Sequence, residues 1–426
     1  MNITKRLLHN RNTTVHVIGI GVSETAELTQ TALRALNQAT TVIGSPRQYA
    51  TVKPLIPANT TCFIPLPAIK DLPTLLERLP DQHIALLASG DPLFFGIGRW
   101  LTKHVATDTL CFYPGISSLQ AVCHRLRLSL EDMTTVSLHG RPITNLRPYL
   151  KQNQQLLILT DQHSQPHHLA RECLDAGFEQ TEITLCENLG YHTERIQTFK
   201  ATELLNQPPH VAPLHVSYLS VKGSGQAKLE FPGIEDHRFE TGQAAGQGMI
   251  SKREVRLMLL SLLQPACGDV IWDIGAGCGS VSIELALWQA NAQVYSIECH
   301  KQRMQYLHTN RQRFGVTANT HPVLGSAPTT LDELPQANKV FIGGSNGSLP
   351  WLLPKLWANL PIHGLLVATA VTDTTYQQLL DFINNVTHSA TIELTQVHVN
   401  RGQLHQGAVQ WQPKKPVQLI KLTKIS

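Results

Sequence analysis

Val270-Ile271-Trp272-Asp273-Ile274-Gly275-Ala276-Gly277-Cys278-Gly279-Ser280 is the stretch that decides the fold. Its apolar start reads as a buried strand, the alternating glycines as a tight turn, and Val281 to Ala290 as the following helix. Glycines at alternate positions let the backbone pass close to a ligand, and a helix start offers free N–H groups. The next strand, Val294-Tyr295-Ser296-Ile297, ends in Glu298, whose carboxylate can accept hydrogen bonds from both hydroxyls of a ribose. Strand, turn, helix, strand and acid spell a nucleotide-type site in an α/β sheet. The spacing of Gly275, Gly277 and Gly279 is G-x-G-x-G. No glycine stands where the dinucleotide fingerprint G-x-G-x-x-G needs its third. A structural glycine turn and a dehydrogenase remain the alternatives.

Upstream, Ser251-Lys252-Arg253-Glu254 reads as a capping box. Val255, Met258, Leu259, Leu262 and Leu263 then form one apolar helix face, and Pro265 stops it. On this reading Glu254 is the capping carboxylate and Arg256 its exposed neighbour, with a substrate-facing role open to either. Downstream, Val323-Leu324-Gly325-Ser326-Ala327-Pro328 ends a third strand. Val340-Phe341-Ile342 ends a fourth in Gly343-Gly344-Ser345, for which a simple glycine turn is the alternative.

The amino-terminal half repeats the alternation of apolar runs and helix-period segments expected of α/β architecture. Val17-Ile18-Gly19-Ile20-Gly21 ends a strand, but Glu24 follows where a dinucleotide site would carry glycine. Ile84 to Ala88 runs into the tight turn Ser89-Gly90-Asp91-Pro92 and then Leu93-Phe94-Phe95. Phe112-Tyr113-Pro114-Gly115-Ile116-Ser117-Ser118 is another strand, loop and helix start. Hydrophobic periodicity is lost between Lys222 and Gly248. The expected division is residues 1–225, a linker at 226–247, and residues 248–426.

The chain has 426 residues, 42 % of them hydrophobic, which excludes a disordered or fibrous protein. A formal charge of +4 with 15 % charged residues argues for no nucleic-acid or membrane partner. No apolar run approaches the ~18 residues of a membrane helix. The start, Met1 to Arg11, is basic with no apolar segment behind it and reads as a frayed leader, not a signal peptide. None of the eight cysteines forms Cys-x-x-Cys, so they read as small buried apolar residues in a reducing cytoplasm. Of the twenty histidines, His163, His167 and His168 are the densest group. They fall where a helix starts, a position for caps and solvated side chains. No metal is expected.

Two resemblances give these motifs a chemistry. D-x-G-x-G-x-G with an acid closing the next strand resembles class I S-adenosylmethionine-dependent methyltransferases. That implies a Rossmann-like domain with cofactor contacts at Ser251, Asp273, Gly275, Ala276, Gly277, Cys278, Gly279, Glu298, Ser326 and Ala327. Ser326 and Ala327 would lie near the adenine, and methyl transfer would occur at Gly343-Gly344-Ser345. Nucleic-acid amino-methyltransferases usually carry Asn/Asp-Pro-Pro-aromatic there to grip a flipped base. The first half resembles the tetrapyrrole methylases, through the segments above and Val42-Ile43-Gly44-Ser45-Pro46-Arg47, Leu138-His139-Gly140-Arg141 and Cys186-Glu187-Asn188-Leu189-Gly190. That implies an α/β domain of two subdomains with cofactor contacts at Gly19, Gly21, Ser89, Gly90, Asp91, Phe94, Ser117 and Ser118. Asp91 is a cofactor or turn ligand rather than a base. His139 and Glu187 either line the macrocycle or serve ordinary loop roles.

The pair in this order is similar to the fused methyltransferases of corrin-ring (cobalamin) biosynthesis, a likeness extended by Gly248 to Arg256 and by Asn400-Arg401-Gly402-Gln403. It implies two S-adenosylmethionine sites, C5 methylation by the first domain, and C15 methylation with loss of the C12 acetate carboxyl by the second. Gly343, Gly344, Ser345 and Arg401 are expected to position a tetrapyrrole substrate. The enzyme is expected in the cytoplasm as a homo-oligomer. Ser251 stands where relatives often have Thr, Ser326 where Asp is common, and Glu298 where some have Asp. An RNA-modifying methyltransferase with an appended binding domain is the competing reading, and a half reduced to a scaffold is another.

Overall fold

Unbroken apolar runs, not alternating ones, build the first sheet. The computed structural model describes residues 13–56, 62–79, 83–223, 232–244 and 247–425, so the expected leader lies outside the described residues. By internal packing the chain divides into two units, residues 1–143 with 151–225, and residues 144–150 with 226–426.

In the amino-terminal unit, β1 (Thr14–Gly19), β2 (Thr41–Gly44), β3 (Cys62–Pro65), β4 (His83–Ala88) and β5 (Leu110–Tyr113) form a sheet of order β3-β2-β4-β1-β5. Every ladder in it is parallel. Parallel strands covered on both faces must be apolar throughout, and Val15, Val17, Ile18, Ile84 and Leu86 are fully buried. Helix Gln30–Gln38 packs Ala32 and Leu36 on one face; helix Leu72–Arg78 packs Leu72 and Leu76 on the other. His16 is the buried polar residue of β1. Its ring meets Tyr113 Oη and His83 Nδ1, each at 3.1 Å. Burial first, then His83, holds its pKa below the ordinary histidine value.

The second sheet of this unit joins β6 (Thr134–Ser137), β7 (Gln155–Leu159), β8 (Glu182–Glu187), β9 (Arg195–Lys200) and β10 (His215–Ser220) in the order β6-β7-β10-β8-β9. Only β6 and β7 pair in parallel. The unit thus contains the two α/β subdomains expected.

The carboxy-terminal unit holds β11 (Val270–Ile274), β12 (Gln293–Glu298), β13 (Thr320–Leu324), β14 (Lys339–Ile342), β15 (Leu365–Ala370), β16 (Ala390–Val397), β17 (Asn400–His405), β18 (Ala408–Pro413) and β19 (Val417–Lys424). Seven of them form a sheet of order β13-β12-β11-β14-β15-β19-β16, with β19 antiparallel to both neighbours. The order reverses between β11 and β14, and open α/β sheets bind ligands outside the carboxyl ends of the strands at such a point. Helix Arg253–Leu263 covers one face; Leu349–Asn359 and Asp373–Val386 cover the other. Strands β17 and β18 pair only with each other.

Three expectations change here. The helix expected to start on a Ser251 capping box has Lys252 as its N-cap, with no side-chain cap bond. Glu254 is engaged elsewhere, as shown below. The glycine turn's helix is Ser280–Trp288, two residues shorter at its end than the pattern suggested. The expected linker 226–247 is no free tether where it is described, because Ile234, Asp236 and Phe239 are buried within the carboxy-terminal unit. Four cysteines, Cys123, Cys173, Cys186 and Cys278, are buried as expected, whereas Cys62, Cys267 and Cys299 are exposed.

Candidate functional site

The carboxyl ends of β11, β12 and β14 meet around the glycine turn. Gly275, Gly277 and Gly279 all have positive φ, at 76°, 59° and 82°, a region where an L side chain is strained. A Cβ on Gly275 would stand 2.4 Å from the Gly344 carbonyl oxygen, so the end of β14 lies directly against the turn. Gly343 and Gly344 both donate to the Ile274 carbonyl, at 2.9 and 3.3 Å. A Cβ on Gly344 would meet nothing within 4 Å; this peptide faces open space.

Glu298 is 3 % exposed, and its two oxygens are held by different amides. Oε2 accepts from Gly277 N–H at 2.8 Å, and Oε1 from His300 N–H at 2.8 Å. The acid at the end of β12 is therefore pre-oriented by the turn it serves, with lone pairs left for ribose hydroxyls. Asp273 is buried deeper, at 1 % exposure. Its Oδ2 accepts the Ser282 N–H and hydroxyl, while Oδ1 has no partner. Burial raises the Asp273 carboxyl to about 6, against the Ser282 hydrogen bonds, with the Glu298 charge adding to the rise. Ser326 and Ala327 follow β13, where Gly325 N–H donates to the Glu298 carbonyl at 3.0 Å. The main chain of the segment before helix Arg253–Leu263 also reaches the turn: a Gly277 Cβ would stand 3.3 Å from the Met249 carbonyl oxygen. Glycines that admit close approach, a buried acceptor without a donor and an oriented acid fit an adenosyl ligand.

In the amino-terminal unit the loops after β1, β4 and β5 converge. Gly90 N–H donates to the Gly21 carbonyl at 3.1 Å, and a Cβ on Gly19 would stand 2.5 Å from Gly90 O and 2.7 Å from Gly115 N. Asp91 Oδ1 accepts from Leu93 and Phe94 N–H at 2.8 and 3.1 Å, closing the turn on its own backbone. Ser117 caps helix Ser118–Leu126 by accepting from Gln120 N–H. A cleft lined by Gly21, Arg47, Ser89, Gly90, Ser118 and Tyr191 opens beside these loops. Phe94 is part-exposed on the adjoining surface. Glu187 is no lining acid. Burial would raise its carboxyl, but bidentate bonds from Arg195 at 2.7 and 2.9 Å and Ala212 N–H hold it below the usual value. His139 is exposed next to Gly140, whose N–H donates to Asp161.

Residues 14–205 match the family model of the tetrapyrrole (corrin/porphyrin) methylases, and residues 243–424 that of the precorrin methyltransferase domain. Over 413 residues the chain is 34 % identical to a precorrin-6Y C(5,15)-methyltransferase [decarboxylating] of Sinorhizobium sp, covering 96 % of each. The chain belongs to the precorrin-6Y C5,15-methyltransferase (decarboxylating) family. Two single-activity relatives each match less than half of it. One is a probable cobalt-precorrin-6B C(15)-methyltransferase (decarboxylating) of Pyrobaculum calidifontis, 35 % identical over 40 % of this chain and 86 % of its own length. The other is a cobalt-precorrin-7 C(5)-methyltransferase of Salmonella typhimurium, 32 % identical over 42 % of this chain and 87 % of its own length. A precorrin C-methyltransferase family with S-adenosylmethionine as donor sets aside the RNA-modifying reading.

Arg256 is where the structure departs furthest from the sequence reading of this precorrin-6Y methyltransferase chain. Expected on the surface, it is fully buried. Its guanidinium binds Asp236 and Glu284 at 2.7 Å each, donates to the Ser251 and Ile234 carbonyls, and lies 4.8 Å from the centre of the Phe239 ring. Arg401, expected to face substrate carboxylates, has already met two of the chain's own: Glu254 at 2.6 Å and Asp236 at 3.0 Å. A guanidinium so neutralised is a tether for the β17 strand rather than an anion receptor. Asp236 joins both arginines and was missed because it sits in a segment without periodicity; its only signal was an acid among polar residues.

Among the described residues, the one group of three potential metal-ligand side chains with all ligand atoms within 4.8 Å is Glu298, Cys299 and His300. His163, His167 and His168 do not form such a group there. Asp161 instead binds the His163 and Ser164 N–H groups as a local turn. No helix among those residues is long and apolar enough to cross a membrane.

Proposed function

We propose that this chain is a bifunctional C-methyltransferase of corrin-ring (cobalamin) biosynthesis with two methyl-donor sites. Residues 1–225 methylate C5 of a precorrin-6-type macrocycle. Residues 248–426 methylate C15 and release the C12 acetate carboxyl as CO2. In the first site Gly19, Gly21, Ser89, Gly90, Asp91, Phe94, Ser117 and Ser118 surround the donor. In the second the turn Asp273 to Gly279, with Ser251, Glu298, Ser326 and Ala327, does so. The enzyme works in the cytoplasm as a homo-oligomer.

The observation that carries the reading is the 2.4 Å approach that a Gly275 Cβ would make to the Gly344 oxygen. The donor turn and Gly343-Gly344-Ser345 are adjacent, so a substrate held by the latter lies at the donor. S-adenosylmethionine, when bound, supplies an already activated methyl electrophile. A reduced meso carbon is enamine-like, so the chain's task is alignment, worth several kcal/mol at near-attack geometry. Glu298 fixes the ribose end through its amide-held carboxylate, and the open Gly344 peptide and Ser345 hydroxyl hold the acetate. The ring accepts the electron pair that CO2 leaves behind, and a proton then completes the methyl group.

Mass spectrometry after incubation with precorrin-6Y and deuteromethyl donor tests this. The expected product carries two labelled methyls and lacks one CO2. A single methyl with the acetate retained refutes the assignment.

A further inference from the structure

Arg47 stands at the cleft of the amino-terminal unit as a cation without a carboxylate. It lies in helix Pro46–Val52, directly after the carboxyl end of β2. Nη2 donates to Ser89 Oγ at 2.9 Å and Nη1 to Tyr191 Oη at 3.1 Å. Ser89 follows β4 of the first sheet and Tyr191 follows β8 of the second, so the guanidinium spans the two sides of the cleft. Both partners are neutral hydroxyls. They fix the planar fork in place without discharging it. Of the acids on the neighbouring loops, Glu24 pairs with His192, Glu194 with Arg125 and Glu187 with Arg195, and Asp91 is held by the Leu93 and Phe94 N–H groups. Among the described residues Arg47 forms no ion pair, and its Nε–H and one hydrogen on each Nη have no acceptor.

The loop that carries Ser89 also carries exposed apolar side chains. Leu93, Phe95 and Ile116 are 54 %, 45 % and 50 % exposed on the loops after β4 and β5. Phe95 meets Phe94 edge to face at 5.0 Å. Leu93 and Phe95 share the loop that carries Ser89, the anchor of Arg47, and Ile116 lies on the loop after β5. Exposed apolar side chains on a loop anchored to an unpaired guanidinium are complementary to a flat ring fringed by carboxylates.

We propose that Arg47 is the carboxylate receptor of the amino-terminal site, taking an acetate or propionate side chain of the macrocycle. This rests on the C5-methylation reading above. A planar bidentate fork suits carboxylate geometry, which a lysine ammonium lacks.

The experiment uses the full chain and the variants R47Q and R47K. It follows macrocycle binding through the ligand's own absorbance, donor binding by calorimetry, and C5 methylation with labelled donor. R47Q weakens macrocycle binding at the C5 site and raises its KM there by about ten- to a hundredfold. Donor affinity holds within about twofold, and R47K recovers part of the loss. Added salt weakens the wild type more than R47Q. Retained donor binding at the amino-terminal site shows that the unit carrying Arg47 is folded, and the C15 reaction of the same molecules shows it for the other unit. Unchanged macrocycle binding in R47Q overturns the proposal, and so does a loss of donor affinity, which would assign Arg47 to the donor. A wild type that binds the macrocycle without methylating C5 would refute the functional reading alone, because the binding arm still decides the role of Arg47.

Discussion

Asp273 shows how a single buried acid sets a measurable trend. Burial lifts its folded-state pKa to about 6 from an ordinary 3.8. A raised folded pKa means that the native state holds the proton more firmly than the unfolded chain. Its stabilising contribution is therefore full below about pH 4 and lost as pH rises through about 6, by up to ~3 kcal/mol. Asp236 and Glu254 run the other way. Burial opposes their ionisation, but arginine partners hold their pKa values low, so their contribution is lost as pH falls. The variant Asp273→Asn isolates the first trend: its stability relative to the wild type should rise by up to ~3 kcal/mol between pH 4 and pH 8. Urea unfolding at both pH values reads this through tryptophan fluorescence. Five of the six tryptophans (Trp272, Trp288, Trp351, Trp357 and Trp411) belong to the carboxy-terminal unit. A difference that does not change with pH would refute it. Asp273, the glycines and Glu298 were legible in the sequence because they fall at fixed places along one strand–turn–helix–strand path, although Gly277 and Glu298, 21 residues apart, meet only in the fold.

Elements joined over distance were not legible in that way. The helix Arg253–Leu263 carried its apolar stripe in plain view, yet its largest buried residue is the charged Arg256. What makes that burial tolerable is Asp236, 20 residues earlier, and Glu284, 28 residues later. Local periodicity contains neither. The same pairing explains why the aperiodic segment around Ile234 and Phe239 packs as part of the unit rather than as a tether. Removing one partner from a buried charge cluster leaves the others uncompensated, typically at about 3–5 kcal/mol. Arg256→Met keeps much of the volume and should cost about that much in the urea transition of the carboxy-terminal unit. It should also loosen Ser251, whose carbonyl the guanidinium holds beside the donor turn. A cost below about 1 kcal/mol would show the cluster to be dispensable.

At the scale of the whole molecule, two folds carry glycine turns that a side chain would block, and the proposed division of labour predicts that the two reactions are separable in one chain. A Cβ on Gly19 meets backbone atoms of Gly90 and Gly115, and a Cβ on Gly275 meets those of Gly344. Neither obstacle is a flexible side-chain end, so the turn itself must shift. Gly19→Val should therefore remove C5 methylation and leave C15 methylation with decarboxylation. Gly275→Val should do the reverse, retaining the acetate. On the proposed two-site reading, calorimetric titration should count two donor molecules bound per wild-type chain and one per chain in either variant. Each variant's surviving reaction shows that its other unit is folded, so local damage is told apart from global collapse. Loss of both reactions from Gly275→Val with the amino-terminal unit still folded would mean that a single donor site serves both carbons, and the two-site reading would fall.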